Sequence, residues 1–286
     1  MQELAALQPV DYLIIGHVTQ DITPLGPVLG GTASYAALTA RAFGLRVGIV
    51  TSCRLDLNLD ELARISIIRK PSEVNSTFQN IYTPNGRIQF VHHIAETLRL
   101  DDIPAVWRNT PIVHLGPIAR EISPEIAQAF TQSIVGVTPQ GWLREWDGEG
   151  RVSFCDWPDA AEVLSHAGIA VMSIEDVRGN EEVISEFAGL LPILVVTEGA
   201  AGCRVYWNGD VRNFRPPLEV EIDPVGAGDI FATAFFIRYS STRDPWESAR
   251  FATLLAANSV TRKTLAGVPT PDEVNRFMTE ILRQSA

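Results

Sequence analysis

Short apolar runs alternate along this chain with stretches of helical periodicity, and that alternation restricts the fold more than any other feature. Residues 12–16, 46–52, 111–115, 134–137, 169–173 and 193–197 are too short for helices and too apolar to leave one face in water. They read as strands buried on both faces. Residues 32–43 read as a helix closed by Gly44, and residues 124–133, 160–166 and 180–190 as further helices. Such alternation predicts an α/β fold with a mostly parallel central sheet covered on both sides. The last third changes character, since residues 226–239, 245–261 and 271–283 read as three successive helices.

Two stretches break the alternation. Residues 73–95 hold β-rich runs around Pro84-Asn85-Gly86, and residues 203–215 hold two more around Asn208-Gly209. Both read as hairpins, and the pattern alone lets the first be a flap or an extension of the main sheet. With no repeat, low-complexity tract or linker, residues 1–286 are expected to form a single domain.

The net charge of −11 gives no basic face for nucleic acid or an anionic membrane. Lysine occurs only at Lys70 and Lys263, and no G-x-x-x-x-G-K-[ST] or V-A-I-K pattern is present. Both the P-loop and the protein-kinase routes to phosphoryl transfer are thereby disfavoured. Cys53, Cys155 and Cys203 are few and widely spaced, which fits a reducing cytoplasmic setting. No basic region followed by an apolar core opens the chain and no apolar run reaches about 18 residues. Neither a signal peptide nor a membrane span is expected.

Chemistry concentrates in Asp223-Pro-Val-Gly-Ala-Gly-Asp229, which leads into the apolar run Ile-Phe-Ala-Thr-Ala-Phe-Phe. Pro224, Gly226 and Gly228 break regular structure, so the loop feeds a helix N-terminus. Unpaired N–H groups and the positive end of the helix dipole make such a terminus an anion site. Asp229 stands in its first turn. A carboxylate there can take a proton from a hydroxyl while the N–H groups of Gly226, Ala227 and Gly228 hold the phosphoryl group in transfer. A tight turn with Asp223 as cap would explain either acid alone, but two glycines around Ala227 are more than a cap needs. Elsewhere, Gly30-Gly31 precedes a helix that Thr32 or Ser34 could cap, and Asp21 follows the first strand, where open α/β sheets bind ligands.

The loop resembles the Asp-Thr/Pro-x-Gly-Ala-Gly-Asp signature of the PfkB (ribokinase-like) carbohydrate kinases. The resemblance implies a ribokinase-like three-layer α/β/α sandwich with a small β lid built from segments near 17–29 and 73–95. It implies Asp229 as general base and ATP with Mg²⁺ as phosphoryl donor. It also implies a monovalent cation such as K⁺ near Asp223. Asp21, Gly30, Gly31 and Ser34 match the family's sugar site, although Tyr35 stands where the family has Asn. Thr197, Gly199 and Gly202 match a turn that lines the nucleotide phosphates, and Asn258 falls where the adenine pocket is packed.

The departures narrow the resemblance. Ser173-Ile-Glu-Asp176 replaces the family's Asn-x-x-Glu, leaving Asp176 as the carboxylate behind the metal. Thr138-Pro139-Gln140, with Arg144 nearby, replaces Asp-x-Asn. This set looks like the plant-type myo-inositol kinase branch and puts Gln140 and Arg144 in the acceptor site. The expected partner is a small sugar or polyol, myo-inositol first, in a cytoplasmic kinase with room for a homodimer through the lid. A nucleoside kinase is the alternative, with Phe78, Tyr82 and Phe90 available to stack a base. A non-catalytic sugar or nucleotide sensor is the alternative of another class, marked by loss of the base or loop, both of which are intact here.

Overall fold

A computed structural model describes residues 7–83 and 86–284 of the chain; Pro84 and Asn85, the centre of the expected turn, lie outside the described residues. The first strand, Tyr12–Ile15, shows how the architecture arises. All four residues are buried, and they alternate between two cores. Tyr12 and Ile14 enter a cluster with Tyr35, Phe235 and Phe251. Leu13 and Ile15 enter a second cluster with Trp107, Trp142 and Phe187. A strand whose successive side chains point to opposite faces can do this only in the middle layer of a sandwich.

That layer is a nine-stranded sheet. Its order from one edge is Asp210–Phe214, Cys203–Trp207, Ile193–Thr197, Ile169–Ser173, Ile134–Val137, Ile112–Leu115, Tyr12–Ile15, Val47–Cys53 and Ser66–Pro71. The last seven run parallel, and the Cys203–Phe214 hairpin closes the edge antiparallel. Helices Gly31–Ala42, Ala227–Thr242, Pro245–Ser259 and Pro271–Gln284 cover one face, and Ala160–Leu164 and Glu181–Leu190 the other. The fold is therefore a ribokinase-like α/β/α sandwich. The Ala227–Thr242 helix is apolar all round because it lies between the sheet and its neighbours, with every residue from Ile230 to Ile237 buried.

Thr19–Thr23, Gly26–Gly30, Ser76–Thr83 and Gly86–His93 form a separate four-stranded sheet, with Asp21 opposite Phe78. The 73–95 stretch is thus a flap and not an extension of the main sheet. The expected helix at 124–133 is instead a 3₁₀ segment, Pro124–Ala129. Phe130 leaves helical geometry there, and its ring anchors in the second core. The edge strand Ser66–Pro71 and the pair Arg144–Trp146 and Val152–Phe154 were not signalled, since they are partly exposed and lack clean alternation.

Candidate active site

A cavity of about 600 Å³ opens at the carboxyl ends of the central strands, beneath the four-stranded sheet. Open α/β sheets bind ligands at this end. The 223–229 loop forms one wall. Its base is pinned by Asp223, whose Oδ1 accepts from Val225 N–H at 3.1 Å and whose Oδ2 accepts from Thr264 N–H at 2.8 Å. Gly226 is the N-cap, at φ +81°, and the Tyr35 ring fills the place of any side chain there. The helix ladder starts with Ile230 N–H on Gly226 O at 2.9 Å. The N–H groups of Gly228 and Asp229 precede that ladder, at the positive end of the dipole. The N–H of Ala227, which also lines the cavity, bonds to Pro224 O at 3.2 Å. A methyl added at Gly228 would meet no protein atom and would project into open space at the cavity wall.

Asp229 lines the cavity, and its Oδ1 accepts from Thr32 Oγ1 at 2.8 Å. Behind Thr32, Gln140 Nε2 donates to Thr32 Oγ1 at 2.9 Å, and Arg144 donates to Gln140 Oε1 at 2.7 Å. Burial pushes the Asp229 carboxyl up to about 6; the charges of Asp176 and Asp21 act in the same direction, and Thr32 and Arg144 oppose them. A carboxyl that is both buried and ionised near neutral pH suits a general base.

Asp21 lies across the cavity. Burial raises its carboxyl to about 6, against the Thr19 hydroxyl that donates to it at 2.7 Å. Its carboxylate packs directly over Gly30, where a Cβ would collide with it. Gly31 also lines the cavity, whereas Gly30 and Ser34 do not; Ser34 is buried and donates to Gly30 O at 2.6 Å. The flap adds residues that sequence reading passed over. Asn80 and Gln89 face each other across its two strands, joined by Gln89 Nε2 to Asn80 Oδ1 at 3.0 Å, and both line the cavity with Phe78. Their signal was the alternation from Phe78 to Asn80 on one face of a hairpin strand. Phe90 is not among the lining residues, and the side chain of Tyr82 lies outside the described residues.

The far end of the cavity is lined by Thr197, Gly199 and Gly202 and by the apolar groups of Pro216, Pro217, Ala256, Ala257 and Val260. Asn258 is not among the lining residues: it accepts from Arg262 at 2.9 Å, while Ala256, Ala257 and Val260 take the wall that was expected of it. Asp176 lines the cavity, and one of its oxygens accepts from Ser173 N–H at 2.9 Å. Among the described residues, no three His, Cys, Asp or Glu side chains cluster as a metal cage. The donor set fits a hard cation held mainly by phosphate oxygens and water, with one carboxylate behind it. Among the described residues, no helix is long and apolar enough to cross a membrane.

Residues 157–272 match the family described as pfkB family carbohydrate kinase. Cytidine kinase of Thermococcus kodakarensis is 26% identical over 274 residues, spanning 89% of this chain and 97% of the relative. Inositol 3-kinase of Oryza sativa subsp. japonica is 24% identical over 292 residues, spanning 94% of this chain and 72% of the relative. Among solved structures, a pyrophosphate-dependent kinase in the ribokinase family, complexed with a pyrophosphate analogue and myo-inositol, superposes with a TM-score of 0.74. Its identity is 17%, over 93% of this chain and 99% of that one.

Proposed function

We propose that this chain, whose residues 157–272 match the pfkB carbohydrate kinase family, moves the γ-phosphoryl group of ATP to a hydroxyl of a small sugar or polyol. The observation that carries the reading is the placement of two carboxyls of raised proton affinity in one cavity, Asp229 at a helix N-terminus and Asp21 under the flap. Asp21 holds the acceptor beside the Gly31 turn. Asp229 takes the proton from the attacking oxygen. The N–H groups of Gly228 and Asp229 receive the charge that develops on the phosphoryl oxygens. Asp176 would hold Mg²⁺ at the cavity wall, and the ion would offset the charge of the phosphates. Asp223 braces the loop, and a K⁺ beside it is the part of the reading tested by comparing rates in K⁺ and in Na⁺.

The far wall favours ATP over pyrophosphate as donor. Arg144 is the one cationic side chain among the described residues lining the cavity, and it is bonded to Gln140. Pyrophosphate has no apolar part to place against this wall, whereas the apolar surface of Pro216, Ala256, Ala257 and Val260 suits a nucleobase.

For the acceptor, myo-inositol remains the first candidate, since carboxylate, backbone and paired amides meet in one place. A nucleoside is the second reading, and Phe78 favours it, because an apolar ring beside the Asn80–Gln89 amide pair can stack on a base. The test is a grid of acceptors (myo-inositol, ribose, fructose, cytidine) against ATP and pyrophosphate with Mg²⁺. Turnover of one hydroxyl acceptor with ATP is expected. Turnover with pyrophosphate alone would overturn the donor assignment. Binding of acceptor and ATP without transfer would favour the sensor alternative.

A further inference from the structure

Arg144, Gln140, Thr32 and Asp229 come from four separate elements: the strand Arg144–Trp146, the 3₁₀ turn Pro139–Gly141, the first turn of Gly31–Ala42, and the first turn of Ala227–Thr242. They are joined end to end by hydrogen bonds of 2.7, 2.9 and 2.8 Å. The direction of each bond follows from the chemistry. A guanidinium only donates, so the Gln140 atom facing Arg144 must be its carbonyl oxygen. The Gln140 NH₂ therefore faces Thr32 and donates to it. Thr32 has one hydroxyl proton, and it cannot direct that proton at a donor, so the proton goes to Asp229 Oδ1. Flipping Gln140 would set its NH₂ against Arg144 and its oxygen against Thr32, leaving two donors facing each other.

We propose that Thr32, Gln140 and Arg144 are positioning residues for the base and not contacts for the acceptor. The positive charge of Arg144 reaches Asp229 through two neutral groups, each polarised by the one before it. The relay fixes Oδ1 and leaves the incoming proton to Oδ2. It also opposes the effect of burial and of Asp176 and Asp21, the other charged groups that face Asp229. Without it, the base would hold its proton to higher pH. The inference rests on Asp229 being the base.

The experiment is the pH profile of kcat at saturating ATP and acceptor, with the acceptor KM measured alongside. Thr32→Val removes the hydroxyl. Its acid limb should move to higher pH by on the order of one unit, with acceptor KM within about twofold of the wild type. Thr32→Ser should return the limb toward the wild-type position. Gln140→Leu should shift it in the same direction as Thr32→Val, which keeps the test open if one variant fails to fold. A raised acceptor KM with an unmoved limb in both Thr32→Val and Gln140→Leu would make these residues acceptor contacts and overturn the relay. Asp229→Asn separates the two readings: substantial turnover in that variant removes the base assignment itself, whereas its loss with unmoved limbs in the relay variants removes only the relay.

Discussion

The aromatic ring of Tyr35 occupies the space that a side chain at Gly226 would need. Tyr35 stands on the first helix, at the position where the resemblance led one to expect a sugar-binding Asn. It lines the cavity, and it also packs against the left-handed N-cap of the anion loop. The first helix and the 223–229 loop are thus in direct contact at the cavity wall.

The two glycines of the loop should respond oppositely to the same change. Gly226→Ala forces a Cβ into Tyr35 and a side chain into left-handed backbone, and should destabilise the fold by about 1–2 kcal/mol or more. Gly228→Ala lies in the helix with open space around it, and should leave stability equal or up to ~1 kcal/mol higher. It should nonetheless weaken ATP binding, because the methyl projects where phosphate would sit. Denaturant unfolding and calorimetry on both variants check this. Equal destabilisation by the two would refute the contrast, and unchanged ATP affinity in Gly228→Ala would place the phosphates elsewhere.

Asp21→Asn should raise acceptor KM and lower kcat/KM by about 10²-fold while leaving ATP affinity within about twofold. An amide keeps the shape of the carboxylate over Gly30 but offers one acceptor oxygen in place of two. Deoxy analogues of the true acceptor should be poorly used by the wild type for a related reason, since they leave the buried carboxylate unpaired. Parallel losses of ATP and acceptor binding would mean that Asp21 supports the cavity as a whole.

The central sheet was legible because its strands are apolar runs with no polar face to misplace, and Ile134–Val137, Ile169–Ser173 and Ile193–Thr197 were read to the residue. Half-exposed strands such as Ser66–Pro71 carry no such signature. The 223–229 loop was legible as a helix entry because glycine, proline and aspartate each have a local backbone meaning. What could not be read was which long-range partner each polar group finds. Gln140 and Thr32 lie 108 positions apart, and nothing local in either says that one donates to the other. Nor could the chain order reveal that Ala227 would bond its N–H back to Pro224, or that Asn258 would pair with Arg262.

The amide pair on the flap should separate the two acceptor readings. Asn80→Ala and Gln89→Ala each remove half of a donor–acceptor pair beside Phe78. If the acceptor carries a nucleobase, Phe78→Ala should raise its KM by about tenfold or more through lost stacking. If the acceptor is a polyol, the amide variants should cost more than the loss of Phe78. Steady-state kinetics on the three variants with the acceptor found in the grid decides between them.

Through Asp229 and Asp21, acid should affect activity and stability in opposite directions. Asp229 and Asp21 both titrate at about 6, above the roughly 3.9 of an unfolded aspartate. Activity needs Asp229 ionised, so kcat should fall as pH drops through about 6. Between about 4 and 6 the native state binds more protons than the unfolded chain, so these two groups add stability as pH falls through that window and lose it as pH rises. At neutral pH both are buried as charges at a cost of on the order of 1 kcal/mol each, after allowing for their partial exposure to solvent. Asp229→Asn removes that cost without changing the shape of the side chain. It should therefore raise the unfolding temperature at pH 7.5, have a much smaller effect near pH 4.5, and abolish most turnover at both. Thermal unfolding at the two pH values checks the sign. A variant equally destabilised at both would show that Asp229 holds the helix terminus together and that its raised proton affinity carries no cost to the fold.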